Sequence, residues 1–142
     1  MHHIVYQSTA VGLPTTADLK FLLQQSRAKN NRLGITGLLL YGNGEYLQVL
    51  EGEKEAVQAL YATIRQDYRH THVSTLSDGP IEARVFRDWS MGFQTLSEED
   101  FVRLTGYIDP YRSSFLDAHL PEIGEGVLAL LKSFVVNSTS QL

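Results

Sequence analysis

Two amides and a phenol mark where this chain departs from ordinary core composition. Tyr6 sits in His3-Ile4-Val5-Tyr6-Gln7-Ser8, Gln48 in Leu47-Gln48-Val49-Leu50-Glu51-Gly52, and Asn30 just ahead of Gly34-Ile35-Thr36-Gly37. Gln48 interrupts an otherwise apolar run. A buried amide left without partners costs about 1–3 kcal/mol, so Gln48 requires them, and its single group offers both a donor and an acceptor. A tyrosine in a strand is ordinarily packing with its hydroxyl tied off, and an asparagine at a helix end is ordinarily a cap. Trp89 and Met91 flank Ser90, an alternation that predicts one shared strand face, where both would fill the core. Asp67, Arg69 and His70 are expected to close a helix, where a basic residue complements the negative end of the dipole. His2, His3, His72 and His119 show no i, i+4 pairing, which predicts surface or terminal roles and no metal. No G-x-G-x-x-G or Walker loop occurs.

The elements that must position these residues follow from periodicity. His3 to Ser8, rich in β-branched and aromatic residues, reads as a first strand. Thr15 or Thr16 caps a helix from Ala17 to Lys29, with Leu19, Leu22, Leu23 and Ser26 on one face and a stop near Asn30-Asn31 and Gly34. Ile35 to Tyr41 and Glu45 to Glu51 flank Gly42-Asn43-Gly44 and read as a β-hairpin. Glu53 and Glu55 suit the start of a second helix whose stripe is Val57, Leu60, Tyr61 and Ile64. Val73 to Leu76 and Trp89 to Leu96 read as strands joined by a polar link at Asp78-Gly79-Pro80.

The resulting order, βαββαββ, predicts an α+β ferredoxin-like sheet with both helices on one face. In that topology the first and third strands are neighbours, so Tyr6 lies beside Gln48 beneath a groove between the helices, with room for a planar ligand. The organisation expected is a domain over 1–96, a helical extension over 97–136 and a polar tail over 137–142. Ser97-Glu98-Glu99-Asp100 starts the extension, and Ile123, Val127, Leu130, Leu131 and Phe134 form an apolar stripe in it. That stripe is expected on the sheet's second face or on a partner subunit.

Composition narrows the classes. The 142 residues are 43% hydrophobic, enough for a globular core. With no cysteine there is neither a disulfide framework nor a thiolate metal site. The apolar stretches fall far short of the ~20 residues that span a bilayer, so a soluble protein with no membrane partner is expected. The absence of a signal peptide points to the cytoplasm. A net charge of −4 argues against non-specific nucleic-acid binding.

Tyr6, Asn30, Gln48, Gly34-Ile35-Thr36-Gly37, Leu47-Gln48-Val49-Leu50-Glu51-Gly52, Asp67-Tyr68-Arg69-His70 and Trp89-Ser90-Met91 together resemble the BLUF family of blue-light sensors that use FAD, over residues 2 to 96. The resemblance implies a photoreceptor, working as a switch and not as a turnover enzyme. It implies that Tyr6 is the electron and proton donor to photoexcited flavin and that Gln48 bridges the tyrosine hydroxyl to the flavin before its amide rearranges. It further implies that Asn30 holds the flavin carbonyl edge and that Lys29 meets a phosphate. Asp67, Arg69 and His70 would border the ribityl or phosphate side, and Ile35 and Ile64 would sandwich the ring. Trp89 and Met91 would carry the signal to a homo-oligomer partner or a separate effector protein. Three other classes compete with this one. A flavin-dependent oxidoreductase would need an electron source. An acylphosphatase-like hydrolase would need a basic residue after the first strand, and Thr9 to Thr16 has none. A flavin-free interaction module would leave Gln48 and the asparagines without a shared purpose.

Overall fold

Alternation of apolar and polar residues closes into one five-stranded sheet with the two helices on a single face. The computed structural model describes residues 1–87, 89–97 and Glu99. The elements are β1 (His2–Ala10), α1 (Thr16–Leu33), β2 (Thr36–Gly42), β3 (Glu45–Gly52), α2 (Lys54–Arg65), β4 (His70–Pro80) and β5 (Gly92–Thr95). The strand order is β4-β1-β3-β2-β5, with β5 parallel to β2 and the other pairs antiparallel. This is the expected ferredoxin-like α+β arrangement with one strand added at an edge.

Local chemistry sets the element ends. Thr15 caps α1 through a capping box in which its hydroxyl accepts from the Asp18 amide at 3.1 Å while Asp18 accepts from the Thr15 amide at 2.9 Å. Gly34, at φ 68°, ends α1 in the left-handed region. Asn30 and Asn31 are therefore still helical: α1 runs beyond the Lys29 limit of its apolar pattern and ends at Gly34, within the expected stop. Asn43 (φ 54°) and Gly44 (φ 72°) form the two-residue turn between β2 and β3, a geometry that matches strand twist.

Two cores divide the sheet by face. On the helix side Ile4, Tyr6, Leu39 and Leu50 pack against Leu19 and Leu23 of α1 and Val57, Leu60 and Tyr61 of α2. The opposite side holds Val5, Leu38, Leu40, Leu47, Val49 and Leu76, with Phe86 fully buried among them and Val85, Trp89 and Leu96 alongside.

Several expectations needed correction. β4 is much longer than Val73 to Leu76, and Asp78-Gly79-Pro80 is its end, paired with Ile4, His3 and His2, and not a link. Proline is tolerated there because β4 is an edge strand and Pro80 its last residue. α2 ends at Arg65, so Asp67 and Arg69 belong to the following turn and His70 opens β4. Asp67 makes that turn itself, accepting from the Arg69 amide at 2.9 Å, an Asx-turn that competes with helix continuation. β5 begins only at Gly92, so Trp89 and Met91 precede it and face opposite sides of the sheet. His2 and His3 are buried instead of superficial, the first against Asp78 at 2.5 Å and the second against Ser77 at 3.0 Å. His72 is exposed, as expected. Apart from Ser97 and Glu99, the helical extension and tail expected over 97–142, with His119, lie outside the described residues. Among the described residues no helix is long and apolar enough to cross a membrane, and no cluster of side chains has the makings of a metal site.

Candidate functional site

The antiparallel register places Tyr6 directly opposite Gln48, and Gln48 opposite Leu39 on the other side. These three side chains floor a cavity of about 270 Å³ between α1 and α2. Leu22, Gln25, Ser26, Lys29 and Asn30 supply the α1 wall, at spacings of three and four that keep one helix face turned inward. Leu60, Thr63 and Ile64 supply the α2 wall, and Asp67, Arg69 and His70 the far end. The lining mixes apolar Leu22, Leu39, Leu60 and Ile64 with amides, phenols and the charged Lys29, Asp67 and Arg69. That suits a flat ring system carrying heteroatoms at one edge and a charged chain at the other.

The floor is wired by hydrogen bonds. The Tyr6 hydroxyl donates to Oε1 of Gln48, and Nε2 of Gln48 lies 3.5 Å from the Met91 sulfur. Burial, with smaller pushes from Tyr61, Asp67 and Tyr46, raises the Tyr6 phenol well above its ordinary value. Tyr6 therefore keeps its proton, Gln48 is oriented with oxygen toward it, and the amide nitrogen must face away. A thioether is a weak acceptor, so the buried Gln48 amide retains donor capacity that a carbonyl or ring nitrogen in the cavity would take up. Tyr46, two residues before Gln48 and so on the same strand face, is another protonated phenol, pushed up to about 12 chiefly by burial.

Asn30 is buried at the end of α1 and donates to the Ser90 carbonyl at 2.9 Å. It thus ties the helix to the segment carrying Trp89 and Met91 while lining the cavity. At the other end Arg69 holds Asp67 through Nε at 2.9 Å and Nη2 at 2.6 Å, and reaches Gln25 of α1 at 3.0 Å. That hydrogen bond to Arg69 holds the Asp67 carboxyl below its usual range despite partial burial. His70 bridges the Ile64 carbonyl (2.6 Å) and the Ser8 hydroxyl (2.7 Å). Only a donor can meet a carbonyl, so Nε2 carries hydrogen. Met91 is fully buried beside Gln48, whereas Trp89 packs against Phe86 on the opposite core, ring centroids 5.8 Å apart.

Tyr6, Lys29, Asn30, Gln48, Ile64, Asp67, Arg69 and His70 are thus brought to one cavity. Ile35 is fully buried in the helix-side core and is not among the cavity's lining residues. Sequence reasoning passed over Gln25, Leu39, Tyr46 and Thr63. Tyr46 was accessible from the period of two through Gln48, and Gln25 from the helical stripe through Leu22 and Lys29.

The chain matches the family BLUF, sensors of blue-light using FAD, over residues 1–92, and it belongs to that family. Among curated relatives, "Photoactivated adenylate cyclase subunit beta" of Euglena longa is 40% identical over 89 residues, 62% of this chain and 10% of the relative. The match therefore spans about a tenth of that relative's length. Among solved structures, BlrB, a BLUF protein in its dark state, is similar at 29% identity and TM-score 0.68, covering 96% of each chain. Klebsiella pneumoniae BlrP1 with FMN and cyclic diGMP is similar at 28% identity and TM-score 0.65, covering 96% of this chain and 34% of that one.

Proposed function

We propose that this chain is a blue-light switch that binds FAD non-covalently in the cavity above Tyr6 and Gln48 and performs no turnover chemistry. The observation that carries the reading is the buried Tyr6–Gln48 hydrogen bond beneath the cavity, with the far amide nitrogen of Gln48 facing, among the described residues, a thioether. Flavin, when bound, supplies the blue absorption and the excited-state oxidant. The residues do the rest. Tyr6 is an oxidisable ring whose hydroxyl proton already points into the Gln48 amide, so loss of an electron and of that proton are coupled at one atom. Return of both leaves Gln48 with its amide turned or tautomerised, so that donor and acceptor ends exchange surroundings. A group that was 3.5 Å from the Met91 sulfur is then replaced by one that interacts with it differently, and Met91 repacks.

Asn30 would hold the polar edge of the ring, Ile64 would press on its face, and Lys29, Asp67, Arg69 and His70 would border the ribityl and phosphate portion. The charged far end of the cavity supports that orientation. Output passes through the segment from Trp89 onward, with 97–136 as a helical extension, to a second copy or a separate effector. Only a differential interaction with the two pocket states moves such a population.

The test is an absorption spectrum of the purified protein before and after blue light, followed by identification of the flavin released on denaturation. Yellow protein with a small reversible red shift and released FAD is expected. Colourless protein that no flavin reconstitutes would sink the assignment. Because a similar structure holds FMN, the released flavin decides between the two forms.

A further inference from the structure

Glu51 is a carboxylate with no exposed surface, three residues beyond Gln48 on β3 but on the opposite sheet face. Its partners are two main-chain amides from a distant segment and the hydroxyl of Thr36 on β2. Oε1 accepts from the Phe86 amide at 2.6 Å and from the Thr36 hydroxyl at 2.9 Å, and Oε2 accepts from the Val85 amide at 2.9 Å. Arg84 reinforces the junction from outside, donating to the Thr36 hydroxyl (2.9 Å), the Glu51 carbonyl (3.3 Å) and the Gly34 carbonyl (2.7 Å).

From this anchor a continuous set of hydrogen bonds leads to the pocket. The Trp89 amide donates to the Phe86 carbonyl at 3.0 Å, forming a turn. The next three carbonyls are each held: Trp89 by the Gly37 amide at 3.0 Å, Ser90 by Asn30 at 2.9 Å and Met91 by Arg27 at 3.0 Å. The Met91 side chain then meets Gln48. Hydrogen bonds from amides to an ionised carboxylate are about twice as strong as neutral ones, and a buried carboxylate stripped of them is left uncompensated. Glu51 therefore holds the segment at its start, so movement near the pocket must begin beyond Phe86.

We propose that Glu51 is a positioning residue for the light reaction: by holding residues 85–86 it fixes where Met91 sits against Gln48, and so sets how long the lit arrangement persists. The proposal rests on the photoreceptor reading above and adds a residue that never touches the cavity. In Glu51→Gln the nitrogen end accepts from neither Val85 nor Phe86, so one anchor point is lost while size is kept. A looser start to the segment lowers the barrier for Met91 and Gln48 to return to their dark positions.

The chain has two methionines, Met1 and Met91, so [13C]methyl-methionine labelling gives one exposed and one buried resonance to follow. The full chain is used as purified, with the flavin it carries. In Glu51→Gln the dark Met91 resonance should move or broaden while that of Met1 stays. Dark recovery after a blue pulse should be roughly three- to tenfold faster than wild type, the acceleration expected when a barrier falls by up to one net hydrogen bond, with the size of the red shift retained. A Met91 resonance unchanged from wild type overturns the proposal, as does a moved resonance with unaltered recovery. If Glu51→Gln does not fold, Arg84→Gln loosens the same junction and is judged by the same two readouts. A wild-type protein without any red shift refutes the photoreceptor reading, while the Met91 comparison still judges the anchor by itself.

Discussion

The bond between Tyr6 and Gln48 can be isolated by a double-mutant cycle in the dark. Tyr6→Phe keeps the ring, and with it the contact to Tyr61 at 5.3 Å, but leaves the buried Gln48 Oε1 without its donor. Gln48→Leu keeps apolar volume but removes the acceptor of the Tyr6 hydroxyl, a residue only 3% exposed. Each single change should cost about 1–3 kcal/mol, the penalty for an unsatisfied buried polar atom. The double variant replaces both partners by apolar groups, which is close to neutral, so its loss should fall short of the sum by about 1–3 kcal/mol. Urea unfolding of the four proteins at equal m-value reads this directly. Losses that add to within about 0.5 kcal/mol would show that the two side chains are not coupled and would refute the hydrogen-bonded pair as the core of the site. The same proteins test the photochemistry. Both single variants should bind flavin through the remaining walls and lose the normal red shift, and a normal photocycle in Tyr6→Phe would remove the tyrosine from its role.

Three further outcomes are expected. Burial, helped by His2 and opposed by Asp78, holds the His3 imidazole below its ordinary 6.5; the folded state thus resists a proton that the unfolded chain takes up, so stability is intact above pH 6.5 and declines as pH falls through the folded value. Urea midpoints between pH 7.5 and 5 should show that decline and lose part of it in His3→Asn, whereas an identical slope would exclude His3 as its source. In Gly37→Ala the new Cβ would lie 1.9 Å from the Val49 carbonyl oxygen, a backbone atom, so β2 must part from β3 at a cost of about 1–3 kcal/mol, and an unchanged midpoint would show that the strands yield freely there. Met91→Ala should cost about 2–5 kcal/mol and keep the red shift while reducing the light-minus-dark difference in hydrogen exchange from Trp89 onward; identical exchange in wild type in both states would send the signal out by another surface.

The element order and the β1–β3 adjacency were legible because strand and helix periods differ, and with them came the meeting of Tyr6 and Gln48. Other features left weaker traces. β4 is an edge strand with polar ends, so His70 reads as the close of a helix and Asp78-Gly79-Pro80 as a link. The alternation at Trp89 and Met91 mimics a strand, yet the chain bends before β5 and sends them to opposite faces. Gly92 permits this: a Cβ there would come within 2.4 Å of the Trp89 ring. Glu51 was invisible as an anchor because its partners at residues 85 and 86 are backbone amides, which no side-chain pattern announces.

The bend at the sheet edge makes residues 89–91 a lever that passes from one side of a barrier to the other. Met91 reports the helix-side chamber and Trp89 the opposite chamber, with β2 beside them as a fixed rail held by the Gly37–Trp89 hydrogen bond. On the proposed reading, a rocking motion about that rail would transpose an event in one compartment into the other without stretching a strand. On the proposed reading, the two faces are then free to diverge separately in evolution: the light-absorbing side stays constant while the far side exchanges one listener for another.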